Sequence, residues 1–122
     1  MSKTHYDITE GDLERELIGK RIVNIDEDAN TLTLDDGTHL IFEDTSSCCA
    51  WFRGQLHAGN LTDNAITNVW QEWTGEGEYA EAWVLHILAG ENRIASVDIE
   101  GNSASGYYCH SINLRVVHKG ED

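Results

Sequence analysis

Hydrophobic and polar residues alternate with a period of two through most of this chain. One stretch near the start has a helical period instead. In DITEGDLERELIGK, Leu13 and Leu17 are four apart and share a helix face. Thr9 fits the N-cap, Asp12 stands where a capping box closes, and Ile8 and Leu13 are spaced as a hydrophobic staple. Glu10 and Asp12 fall in the first turn, where the helix dipole favours acids. Gly19 supplies the residue that ends the helix. A helix this short is expected to lie on something larger.

The segments RIVNID, TLTLDD and THLIF then read as a three-strand meander. DEDAN forms the first turn and Asp36-Gly37 the second. Leu32 and Leu34 share one face, as do Leu40 and Phe42. In NAITNVWQEW, Ile66, Asn68 and Trp70 alternate against Val69 and Trp73. EAWVLHILAG is apolar on both faces apart from His86, which suits a central strand. NRIASVDIEG sets Ala95, Val97 and Ile99 against Ser96 and Asp98. YYCHSINLRVV sets Tyr108, His110, Ile112, Leu114 and Val116 against the intervening residues. The chain has no proline, so nothing bars any strand from an interior position.

The expected fold is therefore mainly β (α+β by count). It is an antiparallel sheet, curled sheet or small sandwich of seven or eight short strands with one short N-terminal helix. The loops are too short for the crossovers that parallel strands need. The 122 residues suit a single domain, 1–122, with residues 1–8 and 118–122 as flexible termini.

Charge narrows the partners. The chain carries 22 Asp and Glu against 8 Lys and Arg, a net charge of −14. That balance argues against direct binding to nucleic acid or to an anionic membrane, and it suits a basic protein partner. No apolar run is long enough to span a bilayer, and MSKTHYDITEGD lacks the apolar core of a signal peptide. The expected compartment is the cytoplasm, where thiols stay reduced.

TSSCCAWFRGQLHAG concentrates the candidate chemistry. Zinc ligands are usually two to four residues apart, whereas neighbours on a strand point to opposite faces. Cys48 and Cys49 are thus awkward co-ligands, as are Cys109 and His110. The favoured reading is that of buried structural thiols, with one cysteine of the adjacent pair turned toward the side of Trp51, Arg53, Gln55 and His57. A thiol-dependent or metal-dependent enzyme using Cys49 or Cys109 with His57 or His110 is the alternative from another class. The chain also has four tryptophans. Trp70 and Trp73 have opposite parity, so one regular strand cannot bury both on the same face.

Two segments resemble a known family. LIGKRIVNIDEDANTLTLDDGTHLIFEDTSSCCAW carries a helix end, an IGK, a TLTLDDGT hairpin and a CCA. IASVDIEGNSASGYYCHSINLRV carries a strand, a loop with GYY, and a closing strand. This pattern is similar to a family of small uncharacterised domains common in actinobacteriophages and actinobacteria. The resemblance runs from about Leu17 to Val117 and implies a β-rich fold and a phage origin. It implies no activity, so no catalytic residue, metal ligand or cofactor is carried over.

The leading expectation is a non-enzymatic module that binds a host or phage protein in the host cytoplasm. Trp51, Arg53, His57, Trp70, Trp73 and Tyr107 are its candidate binding residues, since aromatic side chains and arginine dominate binding hot spots. An acidic DNA mimic is a further alternative. A homodimer formed through an edge strand is also compatible with this pattern.

Overall fold

In the computed structural model, which describes residues 3–5, 8–47, 50–61, 65–74, 80–102 and 111–118, the alternating segments form two five-stranded sheets. The first has the order β1-β10-β4-β3-β2, built from β1 (Lys3–His5), β10 (Asn113–Val117), β4 (His39–Glu43), β3 (Thr31–Leu34) and β2 (Ile22–Asp26). The second has the order β5-β6-β9-β8-β7, built from β5 (Thr45–Ser47), β6 (Ala50–Ala58), β9 (Asn92–Asn102), β8 (Ala80–Ala89) and β7 (Asn68–Trp73). All the strand pairs are antiparallel. The mainly β antiparallel fold with one short helix is thus as the sequence implies.

Two strands exceed the expected number, and both are only three residues long. Lys3–His5 pair with β10, inside the stretch assigned to a flexible terminus, and Ile8 just beyond them is buried. The other, β5, pairs with the start of β6, with Ser47 opposite Ala50. β5 and β6 are therefore two antiparallel strands and not one. Cys48 and Cys49 themselves lie outside the described residues.

The helix α1 (Glu10–Leu17) begins as the capping pattern requires. The Asp12 amide donates to the Thr9 hydroxyl, and the Thr9 amide donates to the Asp12 carboxylate at 2.9 Å. Ile8, Leu13 and Leu17 are all buried, so the staple and the helix face insert together into the core. Gly19 takes φ 87° and donates to the Ile66 carbonyl, while the Ile66 amide donates to the Lys20 carbonyl. The end of α1 is thereby fastened to the approach to β7.

One core lies between the sheets. The first sheet contributes Leu32, Leu34, Leu40, Phe42, Leu114 and Val116. The second contributes Phe52, Leu56, Val69, Trp83, Leu85, Ile87, Val97 and Ile99, all in the same cluster. Each such side chain contributes roughly 1.5–3 kcal/mol when fully buried. Phe52 packs on Trp83 with ring centroids 5.7 Å apart, directly over Gly101 of the neighbouring strand. A Cβ at Gly101 would come within 2.4 Å of the Phe52 ring and 2.2 Å of the Trp51 carbonyl oxygen. That site therefore admits only glycine without a shift of the backbone.

The edge of β6 that faces the first sheet has an unusual closure. Beyond Phe52, β5 no longer covers β6. Side chains take its place. The Gly54 amide donates to Asp44 Oδ1 at 3.1 Å. Asn30 Nδ2 donates to the Gly54 carbonyl at 2.8 Å, and the Leu56 amide donates to Asn30 Oδ1 at 3.0 Å. The Ala58 amide donates to Glu27 Oε2 at 2.9 Å. One Asn carboxamide has a donor and an acceptor, so it can stand in for a peptide unit of a missing strand. Asn30 sits in the β2–β3 turn at φ 49°, a conformation that Asn tolerates better than most residues. Its own carbonyl accepts from the Phe42 amide at 2.9 Å, which ties this bridge to β4.

In the β3–β4 hairpin, Gly37 has φ 87°. Hydrogen bonds from the Thr38 side chain and backbone amide, with help from Lys20 at 3.2 Å, lower the Asp36 pKa from 3.8 to about 2.

Two outcomes test this account. Asn30→Gly keeps the turn but strands the Gly54 carbonyl and Leu56 amide; it is expected to cost about 1–3 kcal/mol in urea unfolding. Asp36 is ionised in the folded state at a pH where the unfolded chain is already protonated. Its stabilisation is therefore present above about pH 4 and lost as pH falls towards 2. The gap in urea midpoint between wild type and Asp36→Asn should accordingly close over that window; a gap independent of pH would contradict it.

Candidate functional site

Strand register decides which side chains share the outer face of the second sheet. Opposite Trp51, Arg53, Gln55 and His57 of β6 stand Asn102, Glu100, Asp98 and Ser96 of β9. Ala82, Val84 and His86 of β8 lie opposite Glu100, Asp98 and Ser96. Glu72 and Trp70 of β7 lie opposite Val84 and His86. The period of two then puts this whole set on the side away from the core.

Four of the six expected binding residues meet here: Trp51, Arg53, His57 and Trp70. Trp73 does not join them. It is opposite Trp83 on the core side and stacks on that ring at 5.3 Å, which leaves it at the rim of the sandwich. Tyr107 lies outside the described residues, as do Cys109 and His110. Among the described residues no three His, Cys, Asp or Glu side chains are grouped to hold a metal ion.

The face has two aromatic ends. At one, the Arg53 guanidinium lies 4.7 Å from the centre of the Trp51 ring and 3.6 Å from the Glu100 carboxylate. At the other, Trp70 stacks on His86 at 5.0 Å, and His86 Nε2 is 2.9 Å from Glu72. Trp51 is 40% exposed and Trp70 50% exposed, although each has a stacking partner. His57 is 3.0 Å from Asp98. The buried ring of His86 thus fixes an exposed indole above it, and its own polar atom is satisfied by Glu72.

Between these ends lies a trough of about 620 Å³. Ala82 and Val84 form its apolar floor, and Arg53, Gln55, Asp98, Glu100 and Asp44 line it. The floor explains a feature of the sequence. A strand in an antiparallel sandwich normally has one apolar face and one polar face. The second apolar set of β8 has no core to enter, because it faces out under this trough.

The sequence alone singled out β6 and the tryptophans of this face. It did not join Glu72, His86, Asp98 and Glu100 to them. His86 was marked only by being polar in an apolar run, and Asp98 by its parity in β9. Their juxtaposition depends on strand order, for which the residue pattern has no signal.

The fold and site define an antiparallel β-sandwich with an acidic, aromatic-ended trough on one outer face. The chain belongs to a family described as a domain of unknown function, DUF7448, whose model matches residues 15–114. No curated protein and no solved structure matches the chain. No helix among the described residues is long and apolar enough to cross a membrane.

The assignment of faces on β8 can be checked by paired substitutions. Val84→Glu, on the outer floor, should change stability by less than about 1 kcal/mol. Leu85→Ala, one residue on and fully buried, should cost about 2–5 kcal/mol. Urea unfolding that ranks the two the other way would reverse the assignment.

Proposed function

We propose that this protein is a non-enzymatic, phage-encoded binding module that engages a host or phage protein through the outer face of its second sheet. The observation that carries this reading is the apolar floor of Ala82 and Val84 set between two exposed indoles, Trp51 and Trp70. Surface tryptophans are costly to leave in water unless they serve contact, and tryptophan and arginine are the residues most enriched in hot spots. The face is also built to persist unbound. Its central strands β9 and β8 are each paired on both sides, so a partner meets a surface that is already ordered. The phage origin rests on the resemblance of the sequence motifs, and the host cytoplasm follows from that origin.

The test is affinity capture from an actinobacterial host lysate, with and without phage infection, using wild type, Trp51→Ala and Trp70→Ala. A protein retained by wild type should be lost by about tenfold or more with either variant. Both variants should keep the circular dichroism of wild type, since neither indole is in the core. No retained protein, or equal retention by all three, would sink the reading.

A further inference from the structure

The chemistry of the trough says what kind of segment fits it. Its carboxylates come from two directions, Asp98 and Glu100 from β9 and Asp44 from the link between β4 and β5, and Glu72 of β7 stands beside it, opposite Val84. Among the described residues that line the trough, Arg53 is the only Arg or Lys. Glu100 and Asp98 are held loosely, by the exposed side chains of Arg53 and His57, whereas Glu72 is tied to the buried His86. Arg53 and Glu100 are 63% and 64% exposed, and exposed pairs of this kind are worth little. A ligand cation can therefore take over either carboxylate at small cost. Arg53 against Trp51 also shows that this indole face accepts a cation.

The layout adds a length. Trp51 and Trp70 are separated by three strand spacings and, through the register, by six residues along the strands. Ideal sheet spacings then put them roughly 24 Å apart on the diagonal, the reach of about seven extended residues. That diagonal passes over Glu100 and Val84, with Asp98 and Glu72 on either side of Val84. Apolar contacts thus lie at both ends and in the middle, with carboxylates between them.

We propose, building on the binding-module reading above, that the occupant of this face is an extended basic segment of a partner protein. It lies diagonally across the second sheet from Trp51 to Trp70, and its Lys or Arg side chains pair with Glu100, Asp98 and Glu72. The charge of the whole chain draws such a segment in, and the trough fixes where it rests.

A labelled short peptide of alternating arginine and serine serves as the probe, with its glutamate counterpart as the negative. General attraction to an acidic protein is separated from a site by two variants of equal charge change. Asp98→Asn with Glu100→Gln alters the trough, whereas Asp35→Asn with Glu91→Gln alters turns away from it. The trough pair should weaken probe binding about tenfold, and the turn pair about twofold or less. Trp51→Ala with Trp70→Ala, which changes no charge, should weaken it about tenfold as well. Equal loss for the two charge pairs, or no loss with the tryptophan pair, overturns the proposal. If a lysate partner still depends on Trp51 and Trp70 while the probe shows no preference for the trough, the basic segment is wrong and the binding module stands. If neither is seen, both fall.

Discussion

The Asn30 carboxamide is the joint on which this sandwich depends. Two sheets packed face to face need only apolar contact to stay together, but contact alone leaves their relative placement soft. Here the β2–β3 turn reaches across and completes the hydrogen bonding of β6, with Glu27 and Asp44 on either side of Asn30. These bonds are directional, so they fix the position of β6 against the first sheet. They also close an edge that would otherwise be open to pairing with another chain. An unpaired amide at Leu56 would be costly, because that residue is fully buried.

The same joint positions the outer face. Gly54 and Leu56 are held through their main chain, so the side chains between and beside them, Arg53, Gln55 and His57, project outward at set heights. Gln55 is itself tied to the turn, since its Nε2 donates to the Glu27 carbonyl at 2.9 Å. One wall of the trough is therefore braced by the first sheet, and the other by the pairing of β8 with β7. The acids serve two purposes in this arrangement. Glu27 and Asp44 hold the fold through backbone amides, whereas Asp98 and Glu100 are spent only on exposed, exchangeable pairs.

Much of the fold was legible from the residue pattern, for local reasons. The cap at Thr9, the staple of Ile8 and Leu13, and the Asp36-Gly37 turn are each set by neighbours within a few residues. The alternation reports burial directly in β10, and in β9 from Val97 onward. What was not legible is non-local. Strand order decides that Trp70 stands in line with His57, and nothing in either segment encodes it. The strands β1 and β5 are too short to show a period. The joint was hidden for a further reason: DEDAN reads as a solvated acidic turn, and its Asn and Glu gain their meaning only from the strand edge they happen to face. Trp73 is exposed, but its parity sets it against Trp83 at the rim of the sandwich and not on the outer face.

Ordinary surface acids and the acids of the trough differ in what surrounds them, and that difference gives the charge of this chain a use. A net charge of −14 by itself raises the encounter rate with any basic partner and weakens with salt. It cannot select a register. Selection needs contacts that fail when a segment slides by one residue, and apolar contacts at fixed spacing supply them. Trp51 held by Arg53, Val84 at the floor, and Trp70 held on His86 are three such points on a surface that does not have to rearrange. A segment with cations but without matching apolar residues would be attracted and then released. One with both would gain the desolvation of the indoles as well, and it would be retained chiefly by slower dissociation.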